Sequence, residues 1–388
     1  MKHKYGRMLG STATVAALLV SMAACTSEEG GGSSDSASED GCGLEIGFFG
    51  AYTGENANLG IAIYRGAELA INQYNEEHPD CQVEYVIFDS GGSEETAPGL
   101  AQEAVAHENL IGVIGPAFSG ESSAANPIFE EAGVPLITAS ATNPDLANQG
   151  WTVWHRLLGN DASQGPAAAR YIQNVLQAQA VFVIDDTTTY GEGLANEVRD
   201  TLGDLVVGNS TIQPGQADFS AVITQLQASG ADTVFFGGYY AEAGPFVRQL
   251  RAAGSQATFV AADGVRDPAF IEGAGPEAAE GAILTCPCIP PSEAEGTFYE
   301  DYQEAYGEDP GTYGPEAYDA ATIFLAGIEA GATTREEMNE FIDNYEGQGV
   351  TKQIRFQENG ELDESVIEIW AYRVENGQIV QDQVIPAE

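Results

Sequence analysis

Two kinds of polar group fall where the sequence places loops. Ser119 stands directly ahead of an amphipathic stretch that starts near Glu121, and Ser140, Ala141 and Thr142 follow the apolar run Val134 to Thr138. A hydroxyl beside the free N–H groups of a helix N-terminus suits a carboxylate or another anion. Asp263 follows the run Thr258 to Ala261, Tyr190 precedes Gly191-Glu-Gly, and Tyr239 follows Gly237-Gly238. A buried acid flanked by tyrosine hydroxyls can hold an ammonium, which leaves water only when paired and hydrogen-bonded. Singly, each of these residues is an ordinary cap or turn residue. Together they describe the two poles of a zwitterionic amino acid.

Short apolar runs alternate with helix-length amphipathic stretches from Leu44 onward. Strands are expected at Leu44 to Phe49, Val83 to Phe88, Ile111 to Ile114, Val134 to Thr138, Ala180 to Ile184, Thr233 to Phe236, Thr258 to Ala261 and Ala282 to Thr285. Helices are expected at Gly60 to Asn75, Glu94 to His107, Glu121 to Ala132, Ser163 to Gln177, Glu192 to Leu202, Phe219 to Ala228 and Glu242 to Ala252. This alternation is that of βαβ units and parallel sheets, so the fold class is α/β. Ile111-Gly-Val-Ile-Gly-Pro-Ala-Phe-Ser-Gly and Thr233-Val-Phe-Phe-Gly-Gly-Tyr-Tyr echo one another, each passing from strand through glycine to helix. Open α/β sheets bind ligands beyond the carboxyl ends of their strands, so two doubly wound lobes facing across a cleft would bring the two poles together.

Lys2, Lys4 and Arg7 precede the apolar run Ala13 to Met22, and Ala23-Ala24-Cys25 follow, the pattern of an export signal (residues 1–24) ending at a lipidated Cys25. The run is too short and too broken by Thr14 and Ser21 for a membrane span. Residues 25–41 hold small and acidic residues that bury too little surface to fold, so they read as a tether. The protein is thus expected to be extracytoplasmic and lipid-anchored. Cleavage would leave 364 residues, enough for two domains, with 11 basic against 59 acidic residues and a net charge near −48. That balance excludes nucleic acid, whose phosphates need clustered Lys and Arg. It fits a surface kept soluble by self-repulsion.

Cys42, Cys81, Cys286 and Cys288 make an even number, as befits an exported chain, and allow three pairings. Cys42 and Cys81 each precede an apolar run, so neighbouring strands would bring them together; Cys286-Pro287-Cys288 would then close a small ring. Zinc is the alternative, but His78, His107 and His155 are not at ligand spacing from any cysteine pair.

The stretches Ile111 to Leu146, Asp161 to Ala169, Tyr190-Gly-Glu-Gly-Leu-Ala, Phe236-Gly-Gly-Tyr-Tyr and Ala262-Asp-Gly-Val resemble the leucine/isoleucine/valine-binding proteins of ABC transporters, in order over nearly all of the mature chain. The resemblance implies a type I periplasmic-binding-protein fold of two lobes, residues 42–160 plus 287–366 and residues 161–286 plus 367–388. The chain would cross between them near Asn160, near Cys286 to Cys288 and near Ile367, and close around its ligand by bending there. A bonded Cys286–Cys288 ring would stiffen one crossing. By the same resemblance Ser119, the main chain at Ser140 and Ala141, and Thr142 hold the ligand carboxylate and amino group. Asp263 holds the ammonium, and Tyr190 and Tyr239 line the second lobe. Leu59 and Phe118 shape the side-chain pocket, and Leu59 stands where an aromatic is common. Asp263 stands where glutamate is usual, one methylene longer. The implied protein is a monomer without cofactor that feeds a permease and ATPase complex. A sensor of the same fold is the alternative, as is a binder of an amide, urea or an aromatic acid.

A hydrolase is disfavoured, because Ala117-Phe118-Ser119-Gly120-Glu121 lacks the flanking glycines of a nucleophile elbow and no histidine falls in a cleft loop. Phe49-Gly-Ala-Tyr-Thr-Gly54 does not fit a dinucleotide fingerprint.

Overall fold

A computed structural model describes residues 42–386. The signal segment, Cys25 and the tether lie outside the described residues. Among those described, no helix is long and apolar enough to cross a membrane.

The first sheet is built from the N-terminal part of the chain. Its elements are β1 (Glu45–Gly50), α1 (Ala57–Glu77), β2 (Glu84–Asp89), α2 (Ala97–Val105), β3 (Leu110–Ile114), α3 (Ser119–Ala132), β4 (Leu136–Thr138) and β5 (Trp154–Arg156). The strands are all parallel and lie in the order β2-β1-β3-β4-β5, so the order reverses between β1 and β3. A doubly wound sheet opens its ligand crevice at such a switch point.

The chain then builds a second unit from α4 (Asp161–Arg170), β6 (Val181–Asp185), α5 (Thr189–Leu202), β7 (Val206–Thr211), α6 (Ser220–Ser229), β8 (Thr233–Gly237), α7 (Tyr240–Ala252), β9 (Thr258–Ala261), α8 (Pro268–Ala274), α9 (Pro276–Ala279) and β10 (Ile283–Cys286). It returns to the first with α10 (Phe298–Tyr306), α11 (Gly314–Glu329), α12 (Arg335–Asp343) and the small hairpin β11 (Glu346–Gln348) and β12 (Gln353–Arg355). It ends in the second with β13 (Ile369–Glu375) and β14 (Gln378–Ile385). The second sheet runs β14-β13-β10-β9-β8-β6-β7, parallel from β10 to β7, with β13 and β14 added antiparallel at one edge. Its switch point lies between β6 and β8. The fold is α/β with two doubly wound lobes.

β3, β6, β8 and β10 are buried along their whole length, which is why they read as unbroken apolar runs. β7 alternates half-buried with exposed residues at a sheet edge, and its polar half hides it from such a reading. Both disulfides form, Cys42 to Cys81 and Cys286 to Cys288, so no thiol of these four remains for zinc. Cys286 and Cys288 are buried where β10 leaves the second lobe.

Close backbone packing sets α1 in place. A Cβ on Gly60 would stand 1.9 Å from the Ala51 carbonyl oxygen, and one on Gly66 would stand 2.0 Å from that of Gly314 at the start of α11. Backbone cannot yield as a side-chain tip does, so Gly66→Ala must push α1 off α11. Overpacking of this kind costs about 1–3 kcal/mol. A lower urea midpoint with an unchanged slope is the expected result.

Candidate functional site

Connections leaving the carboxyl ends of five strands come together here, those after β3, β6 and β8 at the switch points. Ser119 opens α3 after β3, and Ser140 to Thr142 follow β4; Tyr190 lies in the first turn of α5 after β6, Tyr239 precedes α7 after β8, and Asp263 follows β9. Between them is a cavity of about 20 Å³. It is lined by Leu59, Phe118, Ser119, Ser140, Tyr190, Tyr239 and Asp263 of the expected residues, and also by Ile63, Ala117, Gly264 and Tyr313. Ala141 and Thr142 do not line it. Both are buried outside its lining.

At the first-lobe side, α3 begins at Ser119 itself, two residues earlier than the sequence suggests, because the Glu121 side chain reaches back to accept the Phe118 N–H at 3.2 Å. Ser119 Oγ accepts the N–H of Asn143 at 3.2 Å, which leaves its own proton to donate. Ser140 Oγ donates to the Ala117 carbonyl at 2.7 Å, tying the two loops together. Its side chain is therefore spent, and only its main chain can serve a ligand. The Thr142 carbonyl accepts the Asp161 N–H at 2.9 Å, and its hydroxyl is fully buried beside the Asp161 carboxyl.

The second-lobe side is organised around Asp263. Tyr190 Oη donates to one carboxylate oxygen at 2.9 Å and accepts the Gly264 N–H at 3.2 Å; Tyr313 Oη, from the segment leading into α11 of the first lobe, donates to the other oxygen at 2.6 Å. Burial raises the Asp263 pKa, and the bonds from Tyr313 and Tyr190 resist the rise. The Tyr239 ring packs edge-on against Phe118 with centroids 5.3 Å apart, and with Leu59, Ile63 and Ala117 these rings form the apolar end. One end of the cavity thus offers hydroxyl and backbone donors, the other an acid, and the flank is apolar.

Sequence reasoning missed Tyr313, Asp161 and Arg156. Arg156, on β5, is fully buried; its Nη1 donates to the carbonyls of Ala141 and Asn143 at 2.9 Å each, and its Nε to Glu361 at 3.0 Å, with a second bond from Nη2 to the same carboxylate. It holds the 141–143 loop from beneath. A buried arginine in Trp154-His-Arg was the one available signal.

Contacts across the cleft link the lobes. Asn58 Nδ2 donates to Asp267 at 2.9 Å and its N–H to Tyr240 Oη at 3.2 Å; Asn143 Nδ2 donates to the Thr189 carbonyl at 2.8 Å, and Arg266 Nη1 to Thr312 at 2.8 Å. This is a closed arrangement.

Glu121, fully buried beneath the loop, has its pKa pushed up to about 8, chiefly by desolvation and against the bonds from Ser90 and Phe118. A carboxyl with a raised folded-state pKa binds more protons folded than unfolded between about pH 4.5 and 8. Its contribution to stability therefore falls as pH rises through that window and levels off above it. Glu121→Gln should flatten that part of the stability–pH curve, read by urea unfolding at several pH values.

The architecture has counterparts among known proteins. The model of the family described as periplasmic binding protein matches residues 43–378. An amino acid binding protein of Pseudomonas aeruginosa is 33% identical over 324 residues, 82% of this chain and 87% of its own. The leucine-, isoleucine-, valine-, threonine-, and alanine-binding protein of the same organism is 32% identical, with 82% and 87% covered. Of solved structures, the leucine-binding protein LivK of Thermotoga maritima is 30% identical with a TM-score of 0.81, covering 88% of this chain and 98% of its own. LivJ of Streptococcus pneumoniae, in complex with isoleucine, is 27% identical with a TM-score of 0.82, covering 88% and 99%. The chain belongs to the periplasmic binding protein family.

Proposed function

We propose that this protein captures a small α-amino acid of the branched-chain type between its lobes and delivers it to the permease of an ABC importer. One observation carries the reading: Ser119 of the first lobe and Asp263 of the second line the same small cavity, with an apolar flank between them. The carboxylate meets the Ser119 hydroxyl and the main chain at Ser140. The ammonium meets Asp263 and the aliphatic side chain meets Leu59, Ile63, Phe118 and Tyr239. The names of the relatives from Pseudomonas aeruginosa and Streptococcus pneumoniae support this class of ligand.

A cavity of about 20 Å³ is scarcely larger than one water requires, so a leucine enters only after the lobes separate. Hinge closure around a ligand is a known behaviour of periplasmic binding proteins. We place the lobe boundaries at residues 42–160 plus 287–366 and 161–286 plus 367–388, so that the crossings near Asn160, Cys286 to Cys288 and Ile367 form the hinge. The protein acts as a monomer outside the cytoplasm, anchored through Cys25, and catalyses no reaction.

Thermal melting tests the reading. A ligand that binds only the native form stabilises it by about 2.7 kcal/mol at a hundred times its dissociation constant. L-Leucine, L-isoleucine or L-valine should raise the midpoint, whereas acetamide, urea and benzoate should not. A rise with one of the latter alone, or with none, would overturn it.

A further inference from the structure

We infer that Arg266 and Thr312 form a latch across the cleft, which positions Asp263 and Tyr313 in the closed form and sets how long the ligand stays bound. The inference rests on the amino-acid reading above and adds to it two residues that do not line the ligand cavity. Arg266 closes the turn that presents Asp263, its N–H donating to the Asp263 carbonyl at 2.9 Å. Its guanidinium carbon stands 4.0 Å from the centre of the Tyr372 ring on β13, so the side chain is seated on the second lobe. In a chain with 59 acidic residues it nonetheless makes no salt bridge among the described residues. Its polar partner is a hydroxyl of the other lobe.

Arg266 Nη1 donates to Thr312 Oγ1 at 2.8 Å, and the same hydroxyl donates to the Arg266 carbonyl, so one buried side chain clasps both the side chain and the main chain of its partner. The segment that carries Thr312 is fixed to the first lobe. A Cβ on Gly311 would stand 2.7 Å from the Ala62 Cβ of α1, and Gly314 packs against Gly66 of the same helix. Between them Tyr313 has a φ of +70°, a left-handed conformation that a bulky side chain keeps only where its surroundings hold it. Two of its holds come from the second lobe: Asp263 on its own hydroxyl, and Arg266 on the residue before it.

Asp263, Gly264 and Tyr313 line the ligand cavity, whereas Arg266, Gly311 and Thr312 line a groove of about 710 Å³ beside it. The latch is thus part of the wall between the two. A bound ligand leaves when the lobes part, and parting breaks both latch bonds, one of them charge-assisted and therefore stronger than a neutral bond. A ligand entering the open form meets no latch. Loss of the latch speeds release and leaves association unchanged.

Release of radiolabelled L-leucine from the whole protein, chased with excess unlabelled leucine, reads the latch, and the uptake of label gives the association rate. Arg266→Met and Thr312→Val are each expected to speed release about 10- to 100-fold with association unchanged, the effect of losing a hydrogen bond to a charged group. Thr312→Ser keeps the hydroxyl and should release at the wild-type rate. The double variant should release no faster than the faster single one, because both changes break the same contact. If Arg266→Met fails to fold, Thr312→Val set against Thr312→Ser decides the matter. Unchanged release in both single variants, effects that multiply in the double, or a loss of affinity carried wholly by association overturns the latch while leaving the amino-acid reading intact. Absence of binding by any amino acid to wild type removes both.

Discussion

Asp263→Ala is expected to lower affinity for the α-amino acid by about 3–5 kcal/mol, a factor of hundreds to thousands, which titration calorimetry would read directly. That magnitude is the cost of leaving a buried charge without its partner. Asp263 is 4% exposed, so little water is available to solvate an unpaired ammonium in the closed form. The loss reaches further than one contact. Tyr190 and Tyr313 both donate to this carboxylate, and Tyr313 comes from the opposite lobe, so the acid also helps hold the closed arrangement. Asp263→Asn keeps the shape and an acceptor but not the charge, and should fall between wild type and alanine. Equal binding by wild type and Asp263→Ala would refute the assignment of the ammonium.

Arg156→Met should be the most damaging change outside the cavity. The arginine is fully buried against Glu361, and removing one partner of a buried pair costs about 3–5 kcal/mol because the other charge stays behind. Arg156 also donates to the Ala141 and Asn143 carbonyls, so those acceptors lose their bonds too. Stability by urea unfolding should drop by that amount, and ligand affinity should fall with it as the loop that presents the Ser140 main chain loosens. Arg156→Met with Glu361→Gln should recover part of the stability, since no charge is then stranded. A double variant no better than the single one would show that the arginine serves the loop rather than the pair.

Much of this was legible in the chain. The eight apolar runs became strands within a residue or two, and all but the edge strand β2 are almost wholly buried, as strands of a parallel sheet covered on both faces are. Strand-end glycines pointed to the loops, and seven of the nine residues expected at the ligand line one cavity. What was hidden had physical reasons. β5 is three residues long and leaves almost no pattern. α10 to α12 follow one another without intervening strands, so strand–helix alternation gave them no place, and Tyr313 at the entrance to α11 stayed invisible with them. The helix at 119 started early because a glutamate side chain, not a cap hydroxyl, satisfies its first turn. Asp161 reads from sequence as a helix-start acid, and only its full burial separates it from an ordinary one.

A crystal structure of the protein with L-leucine tests the central claim most directly. The account predicts the carboxylate within hydrogen-bond distance of Ser119 and the main chain at Ser140, the ammonium against Asp263, and the isobutyl group among Leu59, Ile63 and Phe118. Leucine found elsewhere, or lying in this cavity with its carboxylate towards Asp263, would contradict it.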